Sequence, residues 1–508
     1  MDEAVEKLAS GGSLLFFGLV AELGISFLAK VVIARVLGPI DYGAVSLGVT
    51  TMIFLSTFTV MGLNAGVGRY LPRYEDPGDR RGVVVSAFQV AMPVSVVVGV
   101  AIAALSGPIA RYAFHDPAVA PYLLIFGLAI PFGALMRLAT GAIQGMQLAV
   151  PKVIVQNVTP PVTRFGAVLL AVGLGFGALG IATAYALAYV LAGLVGLYYV
   201  VRKTPLLDDV RPTPMRRELL RFSAPLVVTA AMSFVLGDVD TFMLGYFADT
   251  GAVGVYNVIY PISQLLTMAL GAIGFMFMPV ISSLDAEGAT AEMHRTYQVV
   301  TKWVFMATLP VFLVVALFPT MTITVTFGGE YAVGAAALSV LAVAYFSHAI
   351  AGPNANVLTA IGNTRTIMWD NVAIATLNVV LNLVLIPRYG YYGAAVATAA
   401  SYILLNVLYS TQLYRETGIH PFSTGLVRPG FIASVLVAVV YWVTRTFFQI
   451  TVPLLVGMFV VFMVLYAVVI LRFGGIEDEE IMLVLSFEER FGVDLGPLKT
   501  VAKAVMNG

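Results

Sequence analysis

The chain has 508 residues, 59% of them hydrophobic and only 11% charged, with a mean hydropathy of +0.93. Soluble globular chains carry about a quarter charged residues, so this composition excludes that class. A net charge of zero argues against a nucleic-acid partner, and the absence of cysteine excludes disulfides, thiol catalysis and cysteine-ligated metals.

The N-terminus, MDEAVEKLAS, is acidic and amphipathic, and the apolar run from about Gly12 to Leu37 lacks a short core with a clear cleavage site. It reads as a retained membrane helix rather than a signal peptide. Charged residues then cluster between apolar runs of membrane-crossing length, which predicts an all-α polytopic membrane protein with about fourteen spans. Six fall near 12–37, 43–66, 82–106, 119–147, 152–173 and 177–201. Six more fall near 218–246, 252–283, 294–319, 331–361, 366–387 and 391–414, and two near 426–448 and 451–472. The implied organisation is an N-terminal six-helix bundle (1–201), a cytoplasmic linker (202–217), a C-terminal six-helix bundle (218–414), two additional helices (415–472) and a cytoplasmic tail (473–508).

Two halves are visible as a repeat. Ala34–Leu47, ARVLGPIDYGAVSL, is echoed by Leu244–Val258, LGYFADTGAVGVYNV, with Gly43 aligned to Gly254 and Ser46 to Asn257. Glycine there is expected to permit a tight turn between two spans. FGALGIATAYALAY (176–189) matches YGYYGAAVATAASY (389–402), pairing Gly177 with Gly390, Gly180 with Gly393 and Tyr189 with Tyr402; Gly145 likewise matches Gly362. With six spans per half, both copies enter from the same side and are parallel repeats about an axis along the membrane normal, facing each other across a central cleft. Arg69, Arg73, Arg80 and Arg81 lie between spans 2 and 3, and Arg202, Lys203, Arg211, Arg216, Arg217 and Arg221 between spans 6 and 7. The opposite side has few basic residues, so both termini are expected in the cytoplasm, with the protein in the cytoplasmic membrane. The tail, EDEEIMLVLSFEERFGVDLGPL, is too acidic for simple attraction to anionic lipid and is expected to pack on the bundle.

At this point the residues resemble a known family. ARVLGPIDYGAVSL after a first helix, DTFMLGYFADTGAVGVYNV in span 7 and LNVVLNLVLIPRYGYYGAAVAT near spans 11 and 12 resemble the oligosaccharide flippases of the multidrug/oligosaccharidyl-lipid/polysaccharide exporter superfamily. The resemblance covers nearly the whole chain. It implies two six-helix bundles with two further helices, and the movement of polyprenyl-linked sugars across the membrane. The acidic tail and the EDPGDRR loop look similar to halophilic archaeal members, which implies a dolichol carrier.

Such a function needs a hydrated cleft with cations for phosphate, so ionisable residues inside the spans are the candidates. Glu22 lies roughly 16 Å into span 1, and Arg164 roughly 18 Å into span 5 from the cytoplasm. Gly18, Glu22, Ser26 and Lys30 recur every fourth residue, giving span 1 one small and polar face. Arg137 lies in the cytoplasmic half of span 4. These groups are expected to converge either as a phosphate site, with Glu22 as a protonation or ion switch, or as a buried Glu–Arg pair locking helices together. Lys302, His348 and Asp370 are the comparable set in the second half. Snorkelling accounts for Lys302 and Asp370, and His348 reads first as hydrogen-bonded structure ahead of a break at Gly352–Pro353–Asn354. Asp238 and Asp240 lie about 200° apart on a helix and cannot share a face. Of the two, Asp240 fits the family-like pattern and is a coupling candidate, with a helix-end role as the alternative. Asn378 and Asn382 read as interhelical hydrogen-bonding groups, and Pro160–Pro161 should bend span 5 just before Arg164.

Substrate-binding candidates are therefore Arg137, Arg164, Lys30, Lys302 and His348, and coupling or gating candidates are Glu22, Asp240 and Asp370. No cofactor or metal is called for. The expected partners are a lipid-linked oligosaccharide, membrane lipid and a possible coupling cation, and the chain is expected to work as a monomer. An ion-coupled multidrug exporter of the same fold is the alternative, although Arg137 and Arg164 would repel cationic drugs. A membrane glycosyltransferase or polymerase is the remote alternative. It would need catalytic carboxylates on a sizeable external loop, and 107–120 offers only Arg111, His115 and Asp116.

Overall fold

Backbone amides in hydrocarbon must be satisfied within their own segment, which is why a chain of this composition becomes helical nearly throughout. The computed structural model describes residues 2–447, 457 and 459–466, with side-chain environments from residue 21 onward except 275–276 and several positions between 424 and 447. Among these residues there is no strand, and nine helices are long and apolar enough to cross a membrane. The predicted tail (473–508) and most of the span near 451–472 lie outside the described residues.

The chain opens with α1 (Asp2–Val60), two spans joined across a kink at Gly38, whose φ of 70° and ψ of 175° suit glycine, followed by Pro39. The short α2 (Leu63–Tyr70) leads to α3 (Pro77–Ala104), where Asp76 caps the backbone N–H groups of Gly78 and Asp79 at 2.8 and 3.1 Å with Pro77 in the first turn. Next come α4 (Ser106–Tyr112), α5 (Ala120–Gly145), α6 (Ala149–Val153), α7 (Thr159–Gly173) and α8 (Gly177–Lys203). Between α6 and α7 the chain makes a π-helical turn, Ile154–Val158, immediately before Pro160–Pro161. The bend predicted for span 5 is realised there, and such turns recur at functional positions.

Span 7 is broken: α9 (Arg216–Gly237) stops at Asp238, and α10 (Val239–Phe247) begins beyond it. After α11 (Thr250–Gln264) and α12 (Met268–Ala286) comes the long α13 (Thr290–Leu317), then α14 (Pro319–Thr326) and α15 (Ala335–Ala351). The break predicted in span 10 is present, since α15 ends at Ala351 and α16 (Asn354–Ala360) restarts at Asn354. Two further spans are merged in α17 (Thr364–Thr417) across Gly390, at φ 54°, and α18 (Thr424–Phe447) follows.

Tertiary contacts group the chain into two compact units, 1–258 with 379–394, and 259–378 with 395–508. Unit 1 has a core of Val60, Leu63, Val83, Leu138 and Leu219, contributed by α1, α2, α3, α5 and α9. Its outer surface stays apolar, with Val97, Leu170 and Leu174 each 67% exposed, as expected where lipid rather than water is the solvent. The segment between α8 and α9 is strapped along α3: Thr213 donates to the Gly78 carbonyl at 3.1 Å, and Arg81 donates to the carbonyls of Leu206 and Val210.

The repeat is visible in the backbone of both copies. Gly177 and Gly390 both have positive φ, 60° and 54°. Three residues on, a Cβ on Gly180 would sit 2.2 Å from the Phe176 Cβ, and one on Gly393 would sit 2.4 Å from the Leu385 carbonyl oxygen. The turn expected at Gly43 and Gly254 needs correction. Neither has positive φ. Instead the two glycines face each other within unit 1: a Cβ on Gly43 would lie 1.7 Å from the Thr250 oxygen and 2.8 Å from the Gly254 nitrogen. One on Gly254 would lie 1.9 Å from the Pro39 oxygen. The glycines allow backbone-to-backbone packing of α1 on α11. The preceding turns fall to Gly38 in the first copy and to Ala248–Asp249 in the second, where Asp249 accepts from the Ala252 N–H at 2.8 Å.

Candidate functional site: an intramembrane cation cluster

The polar stripe of α1 points to its functional neighbours. Asn157, in the π-helical turn, donates to Glu22 at 2.5 Å, and Arg164 of α7 donates to the Ser26 hydroxyl. The second terminal nitrogen of Arg164 donates to the Tyr185 hydroxyl on α8 at 2.9 Å, with the guanidinium carbon 4.8 Å from that ring's centre. Arg164 is 7% exposed, and its Nε is buried without a partner among the described residues. An unspent donor on a buried cation is costly unless something else supplies an acceptor.

Around this anchor the predicted groups converge. Tyr189, half-buried, stacks on Tyr185 with ring centres 6.2 Å apart and lies in the field of Arg164, Arg137 and Glu22 together. Lys30, the next stripe position after Ser26, is half-buried and lies in the field of Arg164, Tyr185 and Asp238. Neither the Lys30 ammonium nor the Arg137 guanidinium makes a hydrogen bond to protein among the described residues. The arrangement thus brings three cations and two stacked phenols into one region of unit 1. The predicted Glu–Arg lock takes another form: Glu22 accepts from Asn157, and Arg164 is held by Ser26 and Tyr185. Asn157 and Tyr185 were missed by sequence reasoning. Only the neighbouring Pro160–Pro161 pair, which marks irregular backbone, could have drawn notice to Asn157.

Asp240 lies elsewhere in unit 1 and is 3% exposed. Asn382 donates to its Oδ1 at 2.6 Å, and the Tyr256 hydroxyl donates to its Oδ2. Beside it, Asn257 donates to the Thr241 hydroxyl at 3.2 Å. The carboxylate therefore ties α10, α11 and the 379–394 stretch of α17 into a polar knot, and the interhelical role predicted for Asn382 is realised there.

Unit 2 holds the remaining candidates. Lys302 is 3% exposed in α13, so it is buried rather than snorkelling to an edge as expected from the sequence. His348 is half-buried on α15, with its ring 5.2 Å from Tyr402 and Asn406 at its side. Asn406 also donates to the Ser347 hydroxyl at 2.8 Å. The carbonyl of Ala351, freed by the break after α15, accepts from the Tyr297 hydroxyl, so the break is docked on α13. Asp370 sits beside Gln412 near the start of α17, and its Oδ2 is buried without a partner. Among the described residues no group of three or more His, Cys, Asp or Glu side chains could hold a metal ion.

Comparison with known proteins agrees with the resemblance seen in the sequence. The family described as "Polysaccharide biosynthesis protein" matches residues 8–285, and the family "MatE" matches 225–384. The "Probable low-salt glycan biosynthesis flippase Agl15" of Haloferax volcanii is 24% identical over 411 residues, 80% of this chain and 83% of that protein. The "Uncharacterized membrane protein MJ1068" of Methanocaldococcus jannaschii is 26% identical over 190 residues, and the matched region spans only 38% of its length. Among solved structures, "Lipid II flippase MurJ, inward closed conformation" superposes with a TM-score of 0.71 at 14% identity, covering 91% of this chain and 97% of that one. An inward-facing multidrug resistance MATE family transporter superposes with a TM-score of 0.66 at 16% identity, covering 78% and 94%. These structures share the transporter fold. The chain is a multi-span membrane protein that belongs to the polysaccharide biosynthesis protein family.

Proposed function

We propose that the protein is a flippase that moves a lipid-linked oligosaccharide across the cytoplasmic membrane by alternating access between its two six-helix halves. The observation that carries this reading is the buried cation cluster of unit 1, with Arg164 anchored on two sides and its Nε unspent. Arg137, Arg164 and Lys30 bind the phosphate that joins lipid to sugar. A phosphate supplies the acceptors these donors lack, and charge-assisted bonds to it are the strong kind. The lipid tail stays in hydrocarbon while the headgroup crosses. Relatives named as flippases support the same assignment, Agl15 over most of the chain and the "Probable flippase AglR" at 30% identity over 183 residues.

Glu22 lies in the field of Arg164 and is the candidate switch at the site. In unit 2, Lys302 and His348 are assigned to the sugar-phosphate. Asp370, with an unspent buried oxygen, suits a coupling cation better than Asp240, whose two oxygens both have donors. The polyprenyl or dolichyl carrier, the cytoplasmic position of both termini and action as a monomer belong to the same proposal.

The match to the MatE family over 225–384 favours one second reading, a multidrug exporter. Its cationic substrates would meet the repulsion of Lys30, Arg137 and Arg164. The test is the lipid-linked sugar pool on each membrane face of cells lacking the protein. Cytoplasmic-face accumulation that wild type restores and Arg164→Ala at equal expression does not is expected. An unchanged pool with new drug sensitivity would favour the exporter.

A further inference from the structure

The break in span 7 carries a carboxylate with no structural task. Asp238, at φ −132° and ψ −10°, occupies the position before α10 where an aspartate ordinarily caps the first N–H groups of the helix. Its side chain makes no such bond and is exposed. The neighbouring charge it acts on is Lys30 of α1, whose ammonium likewise has no hydrogen bond to protein among the described residues. The other charge acting on Lys30 is Arg164, which repels it. The break is also seated on α1, since the ring of Phe54 lies 4.5 Å from Phe234 before the break and 5.8 Å from Phe242 after it.

We propose that Asp238 is the resident counter-ion of Lys30 and yields that place to the phosphate of the substrate, a step that rests on reading the cluster as a headgroup site. With the site empty, the carboxylate balances the ammonium and leaves α10 uncapped. When phosphate engages Lys30, two anions compete for one cation. The carboxylate then turns to the free N–H groups of the first turn of α10, where a negative charge is favoured. Binding at α1 is thereby converted into a rearrangement at the α9–α10 junction, and the difference in contacts between the two states is what drives the shift. The exchange also selects ligands, because only an anion competes for Lys30. A neutral glycan does not.

The test uses the full chain in detergent, with binding of a short-chain polyprenyl phosphate measured by calorimetry and turnover measured in vesicles. Asp238→Asn is expected to bind roughly three- to fivefold tighter than wild type, the size of an exposed charge interaction, yet to turn over more slowly at saturating substrate. Asp238→Ser, uncharged but still able to cap, should bind as Asp238→Asn does, and Asp238→Glu should restore wild-type affinity. In a Lys30→Gln background the gain from Asp238→Asn should vanish. A gain that persists there overturns the exchange, as does equal affinity of wild type and Asp238→Asn; in both cases the headgroup reading stands. Failure of wild type to bind polyprenyl phosphate overturns the headgroup reading and the exchange with it.

Discussion

Arg164 spends both terminal nitrogens on the protein and keeps Nε in reserve, which separates its two roles experimentally. Arg164→Ala should weaken headgroup binding by roughly tenfold or more, the scale of one charge-assisted contact. Tyr185→Phe keeps the ring beneath the guanidinium and removes only the hydroxyl, so a smaller loss is expected, on the order of threefold to tenfold. Calorimetric titration of the purified variants with a polyprenyl phosphate checks both. Asp240 makes the contrasting case. Asn382→Ala removes one of its donors in a buried setting and should cost about 1–3 kcal/mol of stability, seen as a lower thermal midpoint in detergent. The spacing of Glu22, Ser26 and Lys30 was legible because a four-residue period fixes a helix face whatever the helix packs on. Their partners were not legible: Asn157 is 135 residues from Glu22 and Arg164 is 138 from Ser26, distances that only tertiary packing closes.

Elements here are shaped by glycines for two different reasons, and substitution distinguishes them. Gly43 is limited by space, since a Cβ would meet the Thr250 oxygen at 1.7 Å, whereas Gly390 is limited by its φ of 54° with nothing within 4 Å of a Cβ. Gly43→Ala should therefore force α1 and α11 apart, costing about 1–3 kcal/mol and lowering folded yield. Gly390→Asn should be nearly neutral, because asparagine adopts left-handed backbone readily. Yield and monodispersity on size-exclusion chromatography decide between them. The repeat identified both glycines as important, but alignment alone could not tell a turn from a close crossing. The same holds for helix breaks. Gly352–Pro353 announced itself by composition, while the break at Asp238 did not, because no proline marks it. Lys302, expected at an edge, is buried because α13 carries it inside unit 2.

At the scale of the molecule, composition and periodicity sufficed for the all-α polytopic class, and the order of motifs sufficed for the family. Two merged pairs of spans, in α1 and α17, and split spans at Asp238 and Gly352 make helix count a poor proxy for span count. The central claim concerns transport of an anionic headgroup. The decisive measurement is translocation of a fluorescent short-chain polyprenyl phosphate sugar in vesicles reconstituted with the full chain, read by quenching from outside. Wild type should move the sugar well above protein-free vesicles, and Arg164→Ala, reconstituted to the same density, should fall most of the way to that background. Wild-type vesicles that move no sugar but take up a cationic dye would contradict the flippase reading and point to drug export.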